Sequence, residues 1–188
     1  MQTEEVNLYV EHAEELMDHA VDHLQKELVK VRTGKAAPTM LEGLMVAYYG
    51  TPTPINQVAN ISAADARTLV IQPWEKSTLA PIEKAIFEAN LGVTPQNDGE
   101  VVRISIPPLT EERRKDLVKK AKALGEEAKV SVRNARRDAM EHIKKAVKDG
   151  FPEDAGKRKE QEVQTLTDKF SEKIDHLIEA KEKDILTV

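Results

Sequence analysis

Apolar residues recur every three or four positions from Val6 through Val10, Ala13, Met17, Ala20, Leu24 and Leu28 to Val31. At 3.6 residues per turn, that spacing draws one stripe down a long amphipathic helix. Gly34 reads as its stop, with Lys30, Arg32 and Lys35 near the negative end of the helix dipole. A second stripe runs through Leu117, Ala121, Leu124, Ala128, Val132, Ala135, Ala139, Ile143 and Ala146, with Thr110 as N-cap and Gly150, Phe151 and Pro152 as its end. A third carries Val163, Leu166, Phe170, Ile174, Leu177 and Ile185, and its start is not marked.

Between Leu44 and Ile106 the periodicity shortens. "LMVAYYG", "QVANIS", "RTLVIQPW" and "EVVRISIPP" read as short strands, and the prolines of "TPTP" favour an extended turn or a rigid connection between strands. "STLAPIEKAIFEANLG" has helical spacing through Leu79, Ile82, Ile86 and Phe87, with Ser77 or Thr78 as N-cap and Gly92 as stop.

Three long helices with one apolar face each are not stable alone in water, and an antiparallel three-helix bundle buries all three faces together. The pattern therefore predicts an α+β chain: a bundle from residues 1–31 and 108–188, with an inserted α+β domain at 32–107. The chain crosses between them twice, near 32–35 and 105–109, which makes a hinge with Gly34, Pro107 and Pro108 as its joints.

Composition narrows the functions. The 188 residues are 40% hydrophobic but only 4% aromatic, which favours aliphatic helix packing. The chain has no cysteine, so disulfides, thiolate metal sites and a cysteine nucleophile are excluded. No apolar run has the length of a membrane span, and the first residues are acidic where a signal peptide is basic; a cytoplasmic protein without membrane contact is expected.

The formal net charge of -5 argues against nucleic acid unless a local face is basic. "VRNARRDAM" supplies one, with Arg133, Arg136 and Arg137 inside the second long helix. On a helical wheel centred on Val132, Arg136 lies about 40° away, Lys129 about 60°, Lys122 about 80°, Lys115 and Arg133 about 100°, and Lys119 and Arg137 about 140°. Two readings stand. The flank is a solvated face with i,i+4 pairs such as Lys122 with Glu126, or it follows a phosphate backbone, for which the planar guanidinium fork is better suited than an ammonium.

Other candidates have less behind them. His12, Glu15, His19 and His23 have spacings that would serve a divalent metal, but the histidines fall off the core stripe and the zinc-protease order is absent, so no metal is assigned. "TGKAAPT" lacks the upstream glycine and preceding strand of a phosphate loop. No nucleophile–base set presents itself, so neither enzyme activity nor a cofactor is expected.

Several stretches together resemble the bacterial ribosome recycling factor family: "VRTGKAAP", "YYGTPTPINQVANIS", "RTLVIQPW", "IEKAI", "IPPLTEERRKDLVKKAK" and "VRNARRDA". They occur in family order and, with the flanking helices, cover nearly the whole chain. The resemblance implies an L-shaped molecule with a three-helix long arm and a β/α/β short arm. It implies a non-enzymatic factor that binds the post-termination ribosome and, with elongation factor G and GTP, splits the subunits to release ribosomes from mRNA; a monomer is expected. It further implies that Arg133, Arg136 and Arg137 dock on large-subunit (23S) ribosomal RNA, with Lys129, Lys122, Arg32 and Lys35 as supporting contacts. Lys35 stands where the family usually has arginine, which keeps the charge and loses the fork. The competing class is a structural or chaperone-like helical bundle whose basic stripe only solvates it; salt dependence of binding separates the two.

Overall fold

A computed structural model of the chain describes residues 2–187. It is an α+β protein of two compact units, one formed by the chain up to Thr33 and from Glu111 onward, the other by Gly34–Thr110.

The first unit is the three-helix bundle. Helix α1 (Gln2–Val29), α3 (Glu111–Lys148) and α4 (Glu153–Leu186) all pack on one another. (α2 belongs to the other unit.) Val6, Met17, Val132, Ile143, Val163 and Ile174 are completely buried where the stripes meet. The edges of the stripes shift from the expected ones. Val21 replaces Ala20 in the core, and Leu124, Ala146, Leu166 and Leu177 are only half-buried. Gly125, Gly156 and Thr167 are buried instead. Two of these are glycines because the helices approach too closely for a side chain: a Cβ on Gly125 would lie 2.6 Å from Ile178 Cγ1, and one on Gly156 would lie 2.4 Å from Val147 Cγ2. An apolarity pattern cannot register a contact made by having no side chain.

The helix ends have identifiable causes. α3 stops in a Schellman motif: Gly150 (φ +111°) takes the glycine position, its N–H bonds Val147 O at 3.2 Å, and Phe151 N–H bonds Ala146 O at 2.9 Å. Phe151 is then buried, and Pro152 precedes the first turn of α4, where Glu153 and Asp154 meet the positive dipole end. α1 ends at Val29, with Lys30 and Val31 N–H groups tightening its last turn onto Glu27 and Leu28, so Gly34 is not its stop. Gly34 has another reason to be glycine: its φ is +76°, and a Cβ there would sit 2.8 Å from Leu109 Cγ.

The second unit contains two antiparallel sheets and one helix. Strand β1 (Met45–Tyr48) pairs with β2 (Thr51–Pro54), so "TPTP" is a strand and not a turn. Ile55 N–H bonds Leu44 O on the β1 side, which puts the N–H groups of Thr51 and Thr53 on that side too. The prolines therefore occupy the alternate positions, where a donor would point away from the ladder. The second sheet has the order β3-β4-β6-β5, from β3 (Ala59–Asp65), β4 (Thr68–Pro73), β5 (Thr94–Asn97) and β6 (Val102–Ser105). Helix α2 (Leu79–Glu88) follows β4 and precedes β5 in the chain. Leu69, Ile71, Val102 and Ile104 meet Ile82 and Ile86 of α2 in a core of this unit's own.

Three details of α2 differ from the expected ones. Thr78 precedes it but makes no side-chain cap, because a 3-10 turn (Lys76–Thr78) already leads into the helix. Phe87 is 60% exposed, and Ala85 takes the core position. Asn90 (φ +51°) adopts the first left-handed conformation after the helix, ahead of Gly92.

Both segments that leave this unit are stitched to its β3–β4 turn. Ala36 N–H bonds Ala66 O and Ile106 N–H bonds Arg67 O, each at 2.7 Å. Ser105 is a ladder residue and Ile106 is buried, so the exposed Pro107 and Pro108, and not residues 105 and 106, begin the passage to α3.

Candidate nucleic-acid interface

The basic flank runs along α3, whose 38 residues form one unbroken helix. The seam between α3 and α4 decides how free each cation is. Lys122 pairs with Glu182 at 3.4 Å and Lys129 with Asp175 at 2.5 Å, both across to α4. The expected i,i+4 pair of Lys122 with Glu126 is not what forms: the seam offers Lys122 a carboxylate on its core side, and Glu126 is reached from Arg133 at 3.4 Å. Both lysines thus have an ion-pair partner across the seam, and the Lys129 pair is the tighter of the two.

The arginines differ. Arg136 is half-buried at the same seam, where its Nε donates to Gln164 Oε1 at 2.8 Å, and Gln164 Nε2 in turn donates to Asp168 Oδ1 at 2.9 Å. Arg133 is exposed; its Nε reaches Lys129 O and its Nη2 reaches Glu126, each at 3.4 Å. Such a loose pair at the surface is worth little and yields readily to a better anion. Arg137 is exposed, with no ion-pair partner among the described residues. The flank therefore presents three guanidinium groups: one held by a neutral amide, one weakly paired and one open. Lys144 and Lys148, both exposed, continue it at about 120° and 160° from Val132 on the wheel.

The remaining candidates lie elsewhere. Arg32 is exposed in the first unit, and Lys35 is half-buried in the second; neither is on α3. His12, Glu15, His19 and His23 are exposed on α1, and among the described residues no three metal-ligating side chains converge. A groove of about 390 Å³ between α1 and α3, lined by Leu8, Tyr9, His12, Asp138 and His142 among others, holds Tyr9 and His142 with ring centroids 4.5 Å apart. No helix among the described residues is long and apolar enough to cross a membrane.

Comparison with known proteins decides the family. Residues 24–186 match the family model described as Ribosome recycling factor. The chain is 55% identical over 173 residues to the ribosome-recycling factor of Porphyromonas gingivalis, covering 92% of this chain and 93% of that one.

The chain belongs to the ribosome recycling factor family.

A relative from Cytophaga hutchinsonii with the same name is 51% identical and matches over its full length, with 98% of this chain covered. Among solved structures, a solution structure of the ribosome recycling factor aligns with a TM-score of 0.78 at 41% identity over 98% of both chains. Another, described as models for the T. thermophilus ribosome recycling factor and the E. coli elongation factor G bound to the E. coli post-termination complex, aligns at 0.64 with 44% identity, covering 97% of this chain and 99% of that one.

Within this ribosome recycling factor family member, the sequence located the cations but missed their α4 partners. Asp168, Asp175 and Glu182 recur every seven residues, and that spacing was the available signal for a polar row facing α3. Gln164 falls outside the heptad and announced itself in no way.

Proposed function

We propose that this chain docks on large-subunit ribosomal RNA through the α3 flank of Arg133, Arg136 and Arg137. As a member of its family it is a translation factor and not an enzyme. It binds the post-termination ribosome and, with elongation factor G and GTP, promotes release of ribosomes from mRNA by subunit splitting.

The observation that carries the docking surface is the unequal treatment of the flank by α4. Carboxylates of α4 pair with Lys122 and Lys129, while among the described residues none of the three guanidinium groups is ion-paired to α4. Guanidinium forks suit phosphate oxygens, and a net charge of -5 over the whole chain opposes indiscriminate binding. In this reading 23S ribosomal RNA is the partner. Arg32 and Lys35 support the contact, Lys122 and Lys129 contribute less, and the protein works as a cytoplasmic monomer. Gly34 and Pro107-Pro108 are the hinge joints for the step that elongation factor G drives. A disulfide between cysteines introduced at the two chain crossings tests that part, and full recycling by the locked protein overturns it.

Sedimentation with vacant ribosomes tests the docking surface. Wild type is expected to co-sediment, more weakly at physiological than at low salt, while the Arg133→Ala/Arg136→Ala variant loses binding by roughly tenfold or more, the scale of charge-assisted hydrogen bonds. Equal binding by both proteins removes the guanidinium flank from the interface. Binding indifferent to salt favours the alternative of a helical bundle that grips apolar peptide.

A further inference from the structure

We propose that Gln164 is a positioning residue for Arg136, holding the guanidinium by a neutral hydrogen bond so that it is fixed in place with its charge undiminished. The proposal rests on the docking reading above.

It follows from the geometry of the α3–α4 seam. Lys122 meets Glu182, and Lys129 meets Asp175. From one pair to the next, both partners step by seven residues in opposite directions, as antiparallel helices with a two-turn repeat require. One further step brings Arg136 to the level of Asp168. The pattern predicts a third cation–carboxylate pair at that level, and the structure does not form one. Gln164 is interposed, taking Arg136 Nε at 2.8 Å through its carbonyl and giving its amide N–H to Asp168 at 2.9 Å.

The substitution changes the chemistry in two ways. A carboxylate bound directly would take the guanidinium fork with two bonds and cancel its charge. The amide uses one of the five N–H donors and brings no charge, so four donors remain for an incoming anion. Asp168 is engaged by Gln164 and held back from Arg136. Fixing the side chain in the free protein also removes an ordering cost that would otherwise fall on binding. Arg133 has only 3.4 Å contacts by comparison, and Arg137 has no ion pair among the described residues. Arg136 is therefore the guanidinium of the three that the fold aims.

The test is affinity for vacant large ribosomal subunits across a salt series. It compares wild type, Gln164→Leu, Gln164→Glu, Arg136→Ala and the Arg136→Ala/Gln164→Leu double variant, with thermal melts to establish folding. Gln164→Leu is expected to weaken binding about three- to tenfold, and to add nothing once Arg136 is already alanine. Gln164→Glu keeps the acceptor at Arg136 and cancels its charge. It should bind more weakly, with the slope of log affinity against log salt shallower by about one. A merely structural glutamine would move the melting temperature of Gln164→Leu and leave its affinity for the large subunit unchanged.

Wild-type affinity in both Gln164 variants overturns the proposal. So does an equal loss from Gln164→Leu with and without Arg136. If Gln164→Leu fails to fold, the glutamate variant carries the decision: wild-type affinity and slope in that variant overturn it. Salt-sensitive binding by wild type that Arg136→Ala weakens, but neither Gln164 change affects, sinks the positioning role alone. Absence of wild-type binding sinks the docking reading and this proposal with it.

Discussion

At residue scale, the most constrained positions in the bundle are the ones with least side chain. Alanine is a better helix former than glycine by about 1 kcal/mol, so Gly125 on the mid-part of α3 goes against local preference. It is kept because Ile178 Cγ1 fills the place where a Cβ would go. Gly125→Ala should destabilise the protein by about 1–3 kcal/mol despite its gain in helix propensity. Adding Ile178→Ala should cost less in that background than in the wild type, since the collision is gone. Thermal melts of the four proteins form a double-mutant cycle, and strict additivity would refute the account. Individual cations were legible in the sequence in the same partial way. Their angles on α3 came from spacing alone, but whether each was free or quenched depended on α4, whose facing residues lie far along the chain. Gln164, which accepts from Arg136 Nε at 2.8 Å, carries no charge or apolar signal that would set it apart in the sequence.

Elements were legible in proportion to their length. Three long helices announced themselves through sustained periodicity, and the four-residue β5, "TPQN", did not, because Pro95 and too few residues leave no alternation to count. The β1–β2 hairpin is held by chemistry that periodicity also misses. Tyr48 and Tyr49 donate to the two oxygens of Glu75, at 3.0 and 2.8 Å, with their rings edge to face at 4.5 Å. The bond to Glu75 raises the pKa of both hydroxyls above the ordinary tyrosine value, because the neutral phenol is the donor. A folded-state pKa raised in this way stabilises the hairpin fully below the unfolded value near about 10 and ceases to do so as pH climbs through the folded values. Titration of tyrosinate absorbance should show two late phenols in the wild type and none of that delay from Tyr48 and Tyr49 in Glu75→Ala. A delay that survives the substitution would mean that Glu75 is not its cause.

For the whole molecule, the division into two units means two hydrophobic cores, one in the bundle formed by two segments of the chain and one in the continuous stretch between them. Ile71 is fully buried in the smaller one, and Ile71→Ala should remove about 2–5 kcal/mol there. Hydrogen exchange should then show lost protection in β3, β4 and β6 with α3 amides still slow; simultaneous loss in α3 would mean that the cores melt as one. The two-turn repeat along the α3–α4 seam has a consequence of a different kind, for how such a chain can change length. A single residue inserted into α3 between Lys129 and Arg136 would rotate everything beyond it by about 100° and carry the guanidinium groups off the seam. Seven residues added to α3 alone restore the angle but slide each cation past its partner. Growth that spares the seam must come as seven residues in α3 matched by seven in α4, so that the bundle's length is quantised and descent with insertions is confined to its loops and to the smaller unit.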